Sequence, residues 1–119
     1  MNTQESLSTA KAFILAARLP TLLVGVAPVL LGNVLGLYMM PRLTETVTSM
    51  NYVMAAVTIL AVMLMQTGAN LVNDVKDAER GVDSAVRVGP VRVTQAGLLG
   101  PEKVRLAYRV CFVLSLLAG

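Results

Sequence analysis

Two long stretches without a charged residue constrain the fold of this chain more than any other feature of its sequence. They cover residues 19–40 and 52–72, which is 22 and 21 residues. About 20 consecutive apolar residues suffice for a helix to cross the hydrocarbon core of a bilayer. Each stretch therefore predicts one transmembrane helix, and the expected fold class is all-α, a polytopic transmembrane helix bundle.

The composition agrees with this prediction. Hydrophobic residues make up 55% of the 119 residues and charged residues only 14%, with a mean hydropathy of +0.69, whereas soluble domains carry about 25% charged residues. A third apolar run begins near Leu106 and continues to Gly119. We therefore expect one membrane domain over residues 1–119, with spans at about 19–40, 52–77 and 103–119, the last one incomplete, and a loop over 78–102.

The basic residues predict the orientation of these spans. Lys11 and Arg18 precede the first span, six Lys or Arg residues fall within 76–105, and the 41–51 connection holds one. Because Lys and Arg near helix ends favour the cytoplasmic side, the N-terminus and the 78–102 loop are predicted to be cytoplasmic, in a multi-pass protein of the inner (cytoplasmic) membrane. The lipid bilayer is thus an expected partner, and nucleic acid is not, since no basic stripe marks a soluble face.

Several features outside the polar region are interpreted as structural. Residues 8–18 mix apolar and basic positions and fit either a short interfacial helix or an extension of the first span. Gly32 and Gly36 form a G-x-x-x-G pair that favours close helix packing, and Asn33 beside them is expected to hydrogen-bond another helix. Cys111 is the only cysteine and the chain has no His, so neither an intramolecular disulfide nor a histidine base or metal ligand is available.

A polar stripe runs along the end of the second predicted span. Its members are spaced by three or four residues and fall within an arc of about 100° on a helix: Gln66, Asn70, Asn73, Asp74 and Asp77. Such a stripe is costly against lipid, so we expect it to face other helices or a watery cavity. Two carboxylates one turn apart favour a cation between them, and Asn and Asp oxygens suit Mg²⁺ bound together with substrate phosphates. The alternative is a solvated helix end at the membrane surface.

The following loop contains Arg87 and Arg92 on either side of Gly89-Pro90. Arginines can bind diphosphate oxygens with two parallel hydrogen bonds. Basic residues in such a loop also serve simply as cytoplasmic anchors, and the sequence leaves both interpretations open.

These residues resemble a known family. Asn73-Asp74-Val-Lys-Asp77, then Gly81, Asp83 and the run Arg87-Val-Gly-Pro-Val-Arg-Val-Thr-Gln-Ala-Gly, are similar to the first aspartate-rich motif and adjoining loop of UbiA-type intramembrane prenyltransferases. The resemblance is greatest to the 1,4-dihydroxy-2-naphthoate polyprenyltransferases of menaquinone biosynthesis, in which the last Asp follows the middle one by six residues. Other branches commonly place that Asp where this chain has Gly81. The stretch from Arg18 to Thr21 also resembles the start of the first helix in that branch.

The resemblance implies an enzyme that transfers a polyprenyl group from its diphosphate to 1,4-dihydroxy-2-naphthoate, with Mg²⁺ as cofactor. It implies Asp74 and Asp77 as catalytic residues, and a metal-ligand set of Asn73, Asp74, Asp77 and Asp83. Asn70, Gln66, Arg87 and Arg92 are the residues expected to bind substrate.

The likeness covers about the first third of the family's length, which implies a bundle of about nine helices in the whole enzyme. The family's second aspartate-rich motif has no counterpart after Asp83, so we expect the chain to be a fragment. Two alternatives remain: a small membrane interaction protein without catalysis, and a UbiA-type prenyltransferase acting on another aromatic acceptor. A soluble isoprenyl diphosphate synthase is disfavoured by the two charge-free spans.

Overall fold

The computed structural model describes residues 3–43, 46–81, 93–94 and 97–119. Within those ranges the chain forms four α-helices and no strand, which confirms the predicted all-α class. A single 3₁₀ turn, Met40–Leu43, follows the second helix. The helices are α1 (Thr3–Ala17), α2 (Leu19–Met39), α3 (Ser49–Arg80) and α4 (Pro101–Ala118).

The N-terminal segment is a helix of its own and is not a continuation of α2. Arg18 separates the two helices in a left-handed backbone conformation (φ 53°, ψ 67°). Pro20 explains the break, because proline lacks the N–H that a continuous helix would use and its ring would clash with the carbonyl of Ala16 four residues earlier. Once past the break, Pro20 occupies the first turn of α2, where a missing N–H costs nothing.

Two of the described helical segments are long and apolar enough to cross a membrane. They are Leu19–Leu43, with a mean hydropathy of 2.0, and Ser49–Arg80, with 1.7. Only 6% of each apolar window is buried inside the protein, so most of this apolar surface points outward, as it does in a protein surrounded by lipid. Together with the membrane-protein composition, these segments indicate a membrane protein.

The third helix is central, since α1, α2 and α4 all pack against it, whereas α2 and α4 are not neighbours among the described helices. One apolar cluster lies where α1, α3 and the segment before α4 meet. Its buried members are Ala12, Ala16, Leu71, Val75, Val93, Leu99 and Val104. This cluster covers the side of α3 on which Asp74 is buried.

Close packing of α4 on α3 depends on Gly68. A Cβ atom added at Gly68 would lie 2.7 Å from Cε1 of Phe112, a distance at which the ring has to move. Nearer the end of α4, the Ser115 hydroxyl donates a hydrogen bond of 2.8 Å to the carbonyl oxygen of Ala61. A small residue and an interhelical hydrogen bond are the usual means of joining helices in a membrane.

The G-x-x-x-G pair of α2 does not have this function in the structure. A Cβ added at Gly32 or Gly36 would meet no atom within 4 Å, and the pair lines an open hollow of about 200 Å³ between α2 and α3. Asn33 also differs from the expectation. Its amide donates to the Val29 carbonyl four residues earlier on the same helix (3.0 Å) and so satisfies itself locally.

Candidate functional site

The polar stripe occupies the last four turns of α3, and the structure describes all five of its members. Asp83, Arg87 and Arg92, the other predicted site residues, lie outside the described residues. The five side chains do not share one environment. Each is therefore considered with the element it contacts.

Gln66, the deepest residue of the stripe, lies against α2. A Cβ added at Gly25 would be 3.4 Å from the Gln66 side-chain oxygen. The absence of a side chain at Gly25 therefore leaves room for the Gln66 amide at the α2–α3 contact. Gln66 thus stands between two helices at the inner end of the polar stripe.

Asn70 joins α3 to the break between α1 and α2. Its side chain is 5% exposed, and its amide nitrogen donates two hydrogen bonds of 2.7 Å, to the Ala17 carbonyl and to the Thr21 hydroxyl oxygen. Ala17 is the last residue of α1, where carbonyl groups have no partner inside the helix. Asn70 therefore caps α1 and fixes the break against α3, and its role in substrate binding stays a prediction.

Asp74 is buried, with 1% of its surface exposed. One of its carboxylate oxygens accepts the backbone N–H of Val93 (3.1 Å), and the other accepts the backbone N–H of Thr94 (2.9 Å) as well as the Thr94 hydroxyl. Three donors of the chain thus surround one carboxylate. Both oxygens of this carboxylate are therefore hydrogen-bonded within the chain.

Asn73 and Asp77 lie one helical turn apart, on the side of the stripe away from Asp74. Asn73 is exposed and Asp77 is half-buried, and Asp77 also interacts with other groups of the protein. An amide oxygen and a carboxylate are hard donors, and Mg²⁺ commonly binds through one or two such side chains while keeping several water molecules. The pair fits a magnesium ion by donor type, number and exposure.

No larger metal-binding set is present in the parts of the chain that are described. Three or more His, Cys, Asp or Glu side chains are nowhere grouped there so that they could hold a metal ion. Any tight site therefore needs ligands beyond Asn73 and Asp77, from substrate phosphates, from water or from residues such as Asp83.

Four other charged residues near the end of α3 form ion pairs with one another. Arg105 of α4 pairs with Glu79 and with Glu102, while the Lys76 ammonium lies 3.7 Å from a Glu79 oxygen. These contacts join the first turn of α4 to α3 at the protein surface. They place Lys76 beside Glu79 rather than beside the Asn73 and Asp77 pair.

Comparison with known proteins gives two similar curated proteins. The chain is similar to a 1,4-dihydroxy-2-naphthoate octaprenyltransferase of Escherichia coli (strain K12), 26% identical over 117 residues, which are 98% of this chain and 35% of that protein. It is also similar to a protein of the same name from Haemophilus influenzae, 27% identical over 103 residues, 87% of this chain and 32% of that one.

The chain spans about a third of the length of these relatives. No family model matches the sequence, and no solved structure matches it either. Both relatives are named as octaprenyltransferases of 1,4-dihydroxy-2-naphthoate. These names agree with the resemblance found in the aspartate-rich motif.

Two residues at the site were not anticipated from the sequence. Thr94 supplies two of the three hydrogen bonds to Asp74, and Gly68 sets the approach of α4. Gly68 interrupts an apolar helix two residues before Asn70, a position where glycine commonly marks close helix packing. Thr94 lies in the run that resembles the family's loop, but its partner twenty residues away cannot be read from local spacing.

Proposed function

We propose that this chain forms the N-terminal part of a UbiA-type membrane prenyltransferase, which transfers a polyprenyl group from its diphosphate to 1,4-dihydroxy-2-naphthoate. The product is the demethylated menaquinol of menaquinone biosynthesis. The site opens toward the cytoplasm in the inner membrane. The similar proteins carry this activity in their names, and the aspartate-rich motif supports it.

One observation carries the proposal: α3 presents both kinds of surface that a polyprenyl diphosphate requires. An apolar groove of about 530 Å³ lies between the start of α2 and Met63 of α3. Ten residues further along, about 15 Å on an α-helix, the same helix carries Asn73 and Asp77. A ligand with a long apolar chain and a charged head is complementary to such a sequence of surfaces.

The reaction we propose breaks the bond between the allylic carbon and the diphosphate oxygen, and the leaving diphosphate takes the electron pair. The carboxyl-bearing carbon of the naphthoate ring forms the new carbon–carbon bond, and carbon dioxide then departs, returning its electron pair to the ring. Asn73 and Asp77 would hold Mg²⁺ beside the diphosphate. The metal, when bound, neutralises the negative charge that develops on the leaving group.

Other residues contribute position rather than charge in this proposal. Asn70 holds the α1–α2 break against α3, and Gln66 lies between α2 and α3 at the inner end of the polar stripe. Asp83, Arg87 and Arg92 would add further contacts to the metal and the diphosphate, as the resemblance implies. The remaining helices of the whole enzyme would supply the second half of the site.

The test is a prenyl-transfer assay in membranes that carry either the 119-residue chain or the chain extended by its downstream reading frame. Mg²⁺, a polyprenyl diphosphate and 1,4-dihydroxy-2-naphthoate are supplied together. We expect transfer by the extended form, with Asp77→Asn lowering the rate about 100-fold or more. Glu102→Gln is the matched control, because it removes an exposed carboxylate outside the site, and it should retain activity.

The same assay distinguishes the two alternatives. Transfer only to a different aromatic acceptor would support prenyltransferase activity and refute 1,4-dihydroxy-2-naphthoate as the acceptor. No transfer by the extended form to any acceptor, or a rate that is the same in Asp77→Asn as in Glu102→Gln, would refute the proposal and favour a membrane interaction protein.

A further inference from the structure

We propose that Asp74 is a positioning residue that anchors the segment before α4 to α3 and is not itself a metal ligand. The anchor is argued from hydrogen bonds and burial within this chain. Only its consequence for the metal set rests on the proposed function. Asp74 would thus act on the site through the segment it holds.

The carboxylate has little capacity left for a metal ion. Three donors already point at its two oxygens: the Val93 N–H, the Thr94 N–H and the Thr94 hydroxyl. The side chain is 1% exposed, and Leu71 and Val75 on either side of it belong to the buried apolar cluster. A hydrated ion would have to displace these donors and enter an apolar surrounding, which is costly.

The neighbouring donors have the opposite character. On a helix of 3.6 residues per turn, Asn73 and Asp77 are about 40° apart, whereas Asp74 lies roughly 60° to 100° from them. That rotation is enough to turn Asp74 into the apolar cluster while Asn73 stays exposed and Asp77 half-buried. The motif is therefore divided between two faces of one helix.

The anchored residues, Val93 and Thr94, are hydrogen-bonded to the residues just before α4. The Val93 carbonyl accepts the N–H groups of Leu98 (2.9 Å) and Leu99 (3.4 Å), and the Thr94 carbonyl accepts that of Gly97 (3.2 Å). Gly97 has φ 71°, a conformation that glycine adopts without steric cost. Val93 is 0% and Leu99 3% exposed. These hydrogen bonds join Val93 and Thr94, which Asp74 holds, to the residues just before α4.

The energetic reason for a carboxylate at this position is its ability to accept several bonds at once. An ionised Asp accepts only, with about four lone-pair sites on two oxygens, and hydrogen bonds to charged groups are the stronger kind. An Asn in its place would turn an NH₂ group toward at least one of the N–H donors. Asp74→Asn therefore tests the anchor with almost no change of volume.

The experiment measures amide hydrogen exchange of Val93 and Thr94 in the 119-residue chain, reconstituted in lipid nanodiscs. We expect Asp74→Asn to accelerate exchange at these two amides by about 10-fold or more, the value of one charge-assisted hydrogen bond. Thr94→Val, which keeps the backbone bonds, should give a smaller acceleration of about 3-fold to 10-fold. Glu102→Gln, which removes an exposed carboxylate that does not contact Asp74, is the control and should change exchange less than about 2-fold, the size of a surface substitution.

Two further readouts separate anchoring from general destabilisation and from metal binding. Amides near Ser115 in α4 should keep their protection in Asp74→Asn, because the effect is local. Addition of Mg²⁺ should leave exchange at Val93 and Thr94 unchanged in the unsubstituted chain. A metal ligand at position 74 would instead give faster exchange when Mg²⁺ is added, since the ion would displace both N–H donors.

The anchor is refuted if Asp74→Asn and Glu102→Gln give the same exchange at Val93 and Thr94, if these amides are unprotected in the unsubstituted chain, or if Mg²⁺ accelerates their exchange. This outcome is distinguishable from failure of the proposed function. If amide exchange depends on Asp74 but the extended form transfers no prenyl group, the proposed function is refuted and the anchor is supported. If prenyl transfer depends on Asp77 but amide exchange does not depend on Asp74, the anchor is refuted and the proposed function is supported.

Discussion

Replacing Asn70 by Ala removes the two hydrogen bonds that fix the break between α1 and α2 against α3. Both are 2.7 Å long, and both come from one amide group that is 5% exposed. Polar interactions between helices in membranes are worth about 0.6 kcal/mol each on average and at most about 1.7. Two such bonds give an expected loss of roughly 1–3 kcal/mol in the free energy of unfolding.

The size of this loss depends on the Ala17 carbonyl. It lies at the end of α1 and has no partner inside the helix, so the substitution leaves it unpaired unless water reaches it. Asn70→Asp is the more demanding variant, because it keeps the shape of the side chain but replaces the donor by an acceptor. Its carboxylate would face two oxygen atoms, and we expect a loss at least as large as that of Asn70→Ala.

The assay is unfolding of the chain by SDS in mixed micelles, followed by circular dichroism. Asn33→Ala is the matched control, since it removes an amide whose bond runs to Val29 of its own helix, and it should cost less than about 0.5 kcal/mol. Equal unfolding free energies for Asn70→Ala and Asn33→Ala, within about 0.5 kcal/mol, would refute the assignment of Asn70 as an interhelical clamp.

Two glycine substitutions test the remaining packing. Gly68→Leu should destabilise the chain by about 1–3 kcal/mol through overpacking, since even a Cβ there lies 2.7 Å from Phe112. Gly36→Leu is its control, because a Cβ at Gly36 meets no atom within 4 Å. This second variant should be nearly neutral in the same SDS titration. Gly81 ends α3 with φ 60°, so Gly81→Ala should lower the free energy of unfolding by about 1–2 kcal/mol. Gly32→Ala within α2 should be neutral or slightly stabilising. A larger loss for Gly32→Ala than for Gly81→Ala would contradict the backbone-strain argument.

The helices that the sequence predicts are the ones defined by uniform apolar runs. Residues 19–40 correspond to α2, Leu19–Met39, almost to the residue, because the absence of charge over one bilayer thickness leaves few alternatives. The α3 helix, Ser49–Arg80, extends beyond the predicted 52–77 at both ends. Helix ends depend on local capping and are poorly determined by hydropathy. At Pro20 the sequence left the break between α1 and α2 open, although proline provides its cause.

The polar stripe shows the limit of prediction from periodicity. Spacing correctly places Asn70 and Asp74 on one side of a helix, since a helix rotates by about 100° per residue. It gives no information about which element covers each position. The structure places the α1–α2 break over Asn70 and the Val93–Thr94 segment over Asp74. Contacts between residues about 20 and 50 positions apart are a property of the tertiary fold.

The interhelical hydrogen bonds also set an order of events during synthesis of the chain. Asn70 pairs with residues 49 and 53 positions earlier, and Ser115 with a residue 54 positions earlier. At about 5–20 residues per second, the ribosome needs roughly 3–10 s to supply each late partner. The α1–α2 break is therefore synthesised several seconds before the Asn70 side chain that clamps it, and Ala61 is synthesised several seconds before Ser115. Each interhelical hydrogen bond can therefore form only after its later side chain, Asn70 or Ser115, has been synthesised.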